Sequence, residues 1–173
     1  KKIKKNKKIF NNYDVKRISE IIGFNLTSDQ INSIKQIQSD LKSDSKMFRL
    51  LQGDVGSGKT IVALLSALNV IESGYQVSFM APTEILAKQH HKLTQTLFKG
   101  KIKSEILTGK STYKDRKLIL EKLKNNNINI LFGTHSLFQE KVIYSKLGLI
   151  IIDEQHKFGV KQRKALSDKG GKN

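Results

Sequence analysis

The segment Gly53-Asp54-Val55-Gly56-Ser57-Gly58-Lys59-Thr60 constrains this chain more than any other. It satisfies the pattern GxxxxGK[ST], which arises by chance in roughly one chain of this length in a hundred or fewer. The residue types follow from what a phosphate requires. Glycines at 53, 56 and 58 let the backbone curl until its N–H groups converge on phosphate oxygens, with Ser57 completing the cradle. A helix opening near Lys59 adds the partial positive charge of its N-terminus. Lys59 is expected to reach the β- and γ-phosphates of ATP, and Thr60 to offer its hydroxyl to Mg²⁺. Such a loop belongs between a strand and a helix, so it predicts an α/β fold.

The hydrophobic pattern supplies that context. Phe48 to Leu51 reads as a short buried strand, followed by a helix from Lys59 to Ser73 that Gly74 stops. A strand at Val77–Ala81 is broken by Pro82, and a helix at Glu84–Leu97 follows. Then come a strand near Lys103–Leu107, a helix near Tyr113–Lys124 and a strand at Ile128–Phe132. Leu147 to Ile152 is a continuous apolar run, as expected of a central parallel strand covered on both faces. Upstream, Thr27 and Gln30 fit a capping box, and Ile31, Ile34, Ile37 and Leu41 recur at helical spacing. Residues 13–23 predict a short helix ending near Gly23. Strands alternating with helices of this length imply a doubly wound, mostly parallel sheet flanked by helices.

Asp153 and Glu154 stand directly after the last apolar run. Open α/β sheets bind ligands at the carboxyl ends of their strands, which assigns both acids to the functional edge. Asp153 is expected to hold Mg²⁺, and Glu154 to orient and deprotonate an attacking water. One carboxylate suits nucleotide binding alone; two in succession argue for hydrolysis.

Bulk properties narrow the partner. The formal charge of +17 favours a polyanion, although a chain rich in Lys, Asn and Ile can acquire that charge from codon bias. No run reaches the roughly 20 apolar residues that a membrane-spanning helix needs. The absence of cysteine excludes disulfides and thiolate metal sites, and suits a reducing cytoplasm. Four scattered histidines without HExxH spacing do not make a zinc site. The first eight residues carry six lysines, a solvated tail or a DNA contact. A start at Lys1 and an end in Lys-Gly-Gly-Lys-Asn lead us to expect a piece of a longer protein, with a basic lead-in at 1–23 and the domain at 24–173.

An acidic box Asp153-Glu154-Gln155-His156 paired with this loop resembles superfamily 2 helicases and translocases. Within that superfamily, RLLQGDVGSGKT, MAPTEILAKQH, LTGK, FGTHSL and IIDEQHKFGVKQR are similar to the RecG-type family of DNA helicases, from Phe24 to Gly170. The resemblance implies a RecA-like P-loop domain, the first of two lobes. It implies ATP hydrolysis coupled to unwinding and branch migration at replication forks and Holliday junctions, by a protein acting as a monomer. A wedge domain would precede this region, and a second lobe with an arginine finger would follow. Since such a finger contributes roughly 10³ to 10⁵ in rate, the region alone should hydrolyse ATP poorly.

The same resemblance suggests roles residue by residue. Gln30 resembles the glutamine that reads the adenine edge, with Phe24 as a stacking platform; closure of the capping box is the competing role. Pro82, Thr83 and Glu84 match motif Ia, and Thr134 and His135 match motif Ib, both expected to grip DNA phosphates. His156 would couple hydrolysis to the second lobe, while Lys157 to Arg163 is either a link to DNA or a plain amphipathic turn. Ser57, Glu84 and His156 favour this family over the transcription-repair coupling translocases, whereas Lys157 departs from an expected arginine. Two other classes compete. An idle nucleotide- and DNA-binding module would have lost Glu154, and a small-molecule kinase would cluster arginines that this chain lacks.

Overall fold

The computed structural model describes Phe10, residues 20–139 and residues 141–154. They fall in two compact units, Lys1–Ser73 and Gly74–Asn173.

In the first unit, α1 (Ser28–Lys42) begins at Thr27, whose extended backbone and hydroxyl make it the N-cap. Both halves of the capping box form: the Gln30 N–H donates to Thr27 Oγ1 at 3.3 Å, and the Thr27 N–H donates to Gln30 Oε1 at 2.9 Å. Ile34, Ile37 and Leu41 form its buried stripe. The helix packs on α2 (Lys59–Glu72), where Val62, Leu64, Leu65, Leu68 and Val70 are buried. Gly74, at φ 84°, follows its C-cap Ser73 in the left-handed conformation that ends helices. Residues 20–22 are helical, with Gly23 after them, and the rest of the expected helix at 13–23 lies outside the described residues.

The expected strand at Phe48–Leu51 does not form. An apolar run becomes a strand only by pairing, and these residues join no ladder in the described structure. Phe48 and Leu50 are 69% and 66% exposed. Arg49 instead ties the segment to α1, donating to Asp40 Oδ2 at 2.7 Å and to Gln36 Oε1 at 2.9 Å.

The second unit is an α/β layer structure. Its strands β1 (Gln76–Met80), β2 (Ser104–Leu107), β3 (Ile130–Gly133) and β4 (Leu147–Ile152) are all parallel, in the order β2-β3-β1-β4. Helix α3 (Glu84–Leu97) connects β1 to β2, and α4 (Tyr113–Lys124) connects β2 to β3. Thr83 and Thr112 cap these helices through their hydroxyls.

Alternation along the strands sends the two helices to opposite faces. Phe79 and Phe132 face α3, where their rings meet His90 and His91. Met80, Leu107 and Leu131 face the other way and pack with Ile119 and Leu123 of α4. Each fully buried side chain of this kind contributes roughly 1.5–3 kcal/mol. Buried Gln76 and Ser78 are paired: Gln76 Nε2 donates to the carbonyls of Leu123 and Ile128, and the Tyr144 hydroxyl donates to Ser78 Oγ at 2.8 Å.

One expectation about the sheet needs correcting. Leu147–Ile152 lies at an edge of the described sheet, with Ile150, Ile151 and Ile152 only half-buried. A continuous apolar run records that both faces meet apolar neighbours; it carries no information about whether both edges are paired.

Candidate functional site

In the first unit the loop 53–58 adopts the curled form that its glycines allow. Gly56 and Gly58 take φ of 83° and 80°, the left-handed region, and Gly58 is the N-cap of α2. The Ser57 N–H donates to the Asp54 carbonyl at 3.2 Å, closing a turn. Lys59, in the first turn of α2, folds back so that Nζ donates to the carbonyls of Gly53 and Asp54, at 2.6 and 2.7 Å. The ammonium thus lies on the loop that its sequence dedicates to phosphates. Thr60 follows it on the helix.

Gln30 reaches this loop from α1. While its Oε1 closes the capping box, Nε2 donates to the Ser57 carbonyl at 3.2 Å. A Cβ on Gly58 would fall 2.3 Å from Nε2, and one on Gly53 would fall 2.8 Å from Ser57 Oγ, so both glycines leave room for specific side chains. The amide group is committed at both ends; contact with an adenine would require releasing one of these bonds.

In the second unit the parallel strands bring four segments to one sheet edge. Pro82, Thr83 and Glu84 follow β1, Thr108 to Ser111 follow β2, Thr134 and His135 follow β3, and Asp153 and Glu154 follow β4. The Asp153 N–H donates to the Met80 carbonyl at 2.8 Å, extending the β1–β4 ladder by one step. Its carboxylate meets His90 of α3, with Nε2 and Oδ2 2.8 Å apart. Glu154 sits at φ 49°, a left-handed backbone that costs a non-glycine residue on the order of 1–2 kcal/mol. Strain of this kind concentrates at functional sites.

Glu84 lies in the first turn of α3, where the helix dipole favours a carboxylate. Its Oε1 accepts from the Thr108 hydroxyl at 2.6 Å, and Oε2 lies 3.6 Å from Lys110 Nζ. The Thr108 hydrogen bond, with help from Lys110 and Lys88 against partial burial, holds the Glu84 carboxyl below its usual range. Thr83 accepts the Leu86 N–H, Thr134 is buried, and His135 is exposed on a short 3₁₀ turn, His135–Phe138. His156 and the segment Lys157 to Arg163 lie outside the described residues.

Mg²⁺ takes oxygen ligands, usually one or two carboxylates beside phosphate oxygens and water. Asp153, partly exposed and fixed through both backbone and side chain, fits that donor set, as does a threonine hydroxyl at position 60. No group of three or more His, Cys, Asp or Glu side chains able to hold a metal occurs among the described residues.

Sequence reasoning quoted the segments that hold His90, Thr108 and Lys110 but gave these three residues no individual role. His90 and Asp153 are 63 positions apart and meet only through strand register. The available signal was a histidine on the buried stripe Ala87, His90, Thr94 and Leu97.

The profile of the DEAD/DEAH box helicase family matches residues 27–170. The ATP-dependent DNA helicase RecG of Aquifex aeolicus is 50% identical over 157 residues, which cover 90% of this chain and 20% of that protein. RecG of Borreliella burgdorferi is 49% identical, covering 90% of this chain and 23% of its own length. The chain thus spans about a fifth to a quarter of these relatives. Among solved structures, RecG bound to a three-way DNA junction superposes with a TM-score of 0.78 at 43% identity, covering 86% of this chain and 21% of that one. The UvsW helicase of bacteriophage T4 superposes with a TM-score of 0.66 at 15% identity, covering 95% of this chain and 58% of its own, a likeness of fold.

Proposed function

The chain belongs to the DEAD/DEAH box helicase family, and on that premise we propose that it is the first ATP-binding lobe of a RecG-type motor acting on branched DNA. The observation that carries the reading is the sheet edge of the second unit. The segments of motif Ia and motif Ib share it with an acidic pair of the hydrolytic type. Similarity to a RecG bound to a three-way DNA junction supports a branched substrate.

In this reading Gly53, Gly56, Ser57, Gly58 and Lys59 receive the phosphates of ATP. Lys59 exchanges its two carbonyl partners for phosphate oxygens, and Gln30 exchanges one of its bonds for the adenine edge. Thr60 and Asp153 would each offer an oxygen to Mg²⁺, whose charge would offset that of the phosphates. Glu154 orients the attacking water and takes its proton. Thr83, Thr134 and His135 contact DNA phosphates. Glu84 serves the same surface indirectly, holding Thr108 and Lys110 in place, since a carboxylate would repel a phosphate directly. A second lobe and a wedge domain elsewhere in the protein complete the motor.

The experiment is the ATPase rate of the full-length protein with no DNA, with linear duplex, and with a fork or four-way junction. Stronger stimulation by branched DNA is expected. Equal stimulation by linear duplex would favour a double-stranded DNA translocase of the transcription-repair coupling type, and no stimulation would refute the motor.

A further inference from the structure

We propose that His90 is a positioning residue for the acidic box, holding the Asp153 carboxylate and tying its orientation to helix α3. The inference rests on the reading of Asp153 as a magnesium ligand. A carboxylate only accepts, so His90 Nε2 carries the hydrogen in the 2.8 Å contact with Oδ2. The imidazole is itself immobilised. His90 is 8% exposed, and its ring lies tilted against Phe79 with centroids 4.9 Å apart; Phe79 in turn rests on Phe132 at 5.2 Å. Both the backbone and the side chain of Asp153 are thereby bound to one β–α unit, the former to Met80 at the end of β1 and the latter to His90.

That same unit carries Pro82, Thr83 and Glu84 at its turn. His90 stands six residues beyond Glu84, about 9 Å along a rigid helix. Movement of α3 on binding phosphates at its N-terminus therefore displaces the imidazole with it. Asp153 is the group that feels the displacement. The pair thus links the DNA-facing segment to the metal-holding carboxylate by direct contact. Loss of a hydrogen bond that orients a metal ligand typically weakens metal affinity by roughly 10- to 100-fold.

The test uses the full-length protein, a non-hydrolysable ATP analogue, and Mn²⁺ as a paramagnetic substitute for Mg²⁺, with binding read by electron paramagnetic resonance. His90→Phe keeps a ring against Phe79 and removes the donor, and His90→Leu is a second donor-free variant should the first not fold. His90→Gln returns an N–H donor. We expect Mn²⁺ affinity to fall by about tenfold in a folded donor-free variant and to recover in His90→Gln. We also expect junction DNA to change the affinity of the wild type and not that of the donor-free variant. Unchanged Mn²⁺ affinity in a donor-free variant, equal loss in His90→Gln, or an undiminished DNA effect overturns the proposal. Asp153→Asn separates the two levels. If it leaves Mn²⁺ binding intact, the metal reading of Asp153 fails and the proposal with it; if it abolishes binding while His90→Phe does not, only the proposal fails.

Discussion

Gly133 closes β3 with its Cα opposite Leu107, and a methyl group there has nowhere to go. A Cβ would fall 2.3 Å from the Leu107 carbonyl oxygen and 2.8 Å from Cγ and Cδ2 of Leu137. Relief requires the β2 backbone to retreat by about 1 Å, enough to break the terminal ladder bond. Overpacking of this kind costs about 1–3 kcal/mol, and a lost hydrogen bond about 0.5–1.5 kcal/mol. Against this, alanine restricts the unfolded chain and returns about 0.4–1 kcal/mol. The steric effect wins, leaving Gly133→Ala destabilised by roughly 0.5–4 kcal/mol. Hydrogen–deuterium exchange over β2 and β3 in the full-length protein should report it, as opening roughly 2- to 700-fold more frequent. Gly109→Ala is the control. No atom lies within 4 Å of a Cβ there, so only the entropic gain applies. Exchange in Gly133→Ala as slow as in Gly109→Ala would refute the reasoning.

Lys59→Ala should abolish DNA-stimulated ATP hydrolysis, whereas Glu154→Gln should retain binding of a fluorescent ATP analogue and lose turnover; loss of binding in Glu154→Gln would make that residue structural. Because the Thr108 hydroxyl depresses the Glu84 carboxyl below 4.5, its stabilisation is complete above that value and disappears as pH falls through the lower folded value. Melting temperatures of wild type and Glu84→Gln should therefore differ at neutral pH and converge only in acid; a gap independent of pH would contradict this. Tyr144→Phe strips the buried Ser78 hydroxyl of its partner and should cost about 1–3 kcal/mol in denaturant titrations, and a neutral result would mean that Ser78 finds another.

Helices α3 and α4 run over the residues that their sequences predict, because a threonine cap and a 3.6-residue stripe are local signals. The curl of the loop 53–58 was legible for the same reason, since its glycines encode conformation position by position. Strand identity was legible in β4, but strand position was not, because neighbours are chosen by residues far away in the chain. Phe48–Leu51 shows the cost of that ignorance: its apolar character is real, while its pairing was assumed. Gln30 lay between two readings because both use the same amide, and the structure gives it a third partner in the Ser57 carbonyl.

The position of β4 also bears on handling the domain in the test tube. Among the described residues β4 pairs with β1, and its Leu-Gly-Leu-Ile-Ile-Ile run is of the apolar, uncharged kind that adds to strands of other molecules whenever its outer edge is bared. A charge of +17 opposes that by keeping molecules apart. Salt shortens the reach of this repulsion, to a Debye length of about 3 Å at 1 M. On the function proposed above, salt therefore acts on the domain in two ways at once: it weakens attraction to DNA phosphates and shortens the repulsion that holds copies apart.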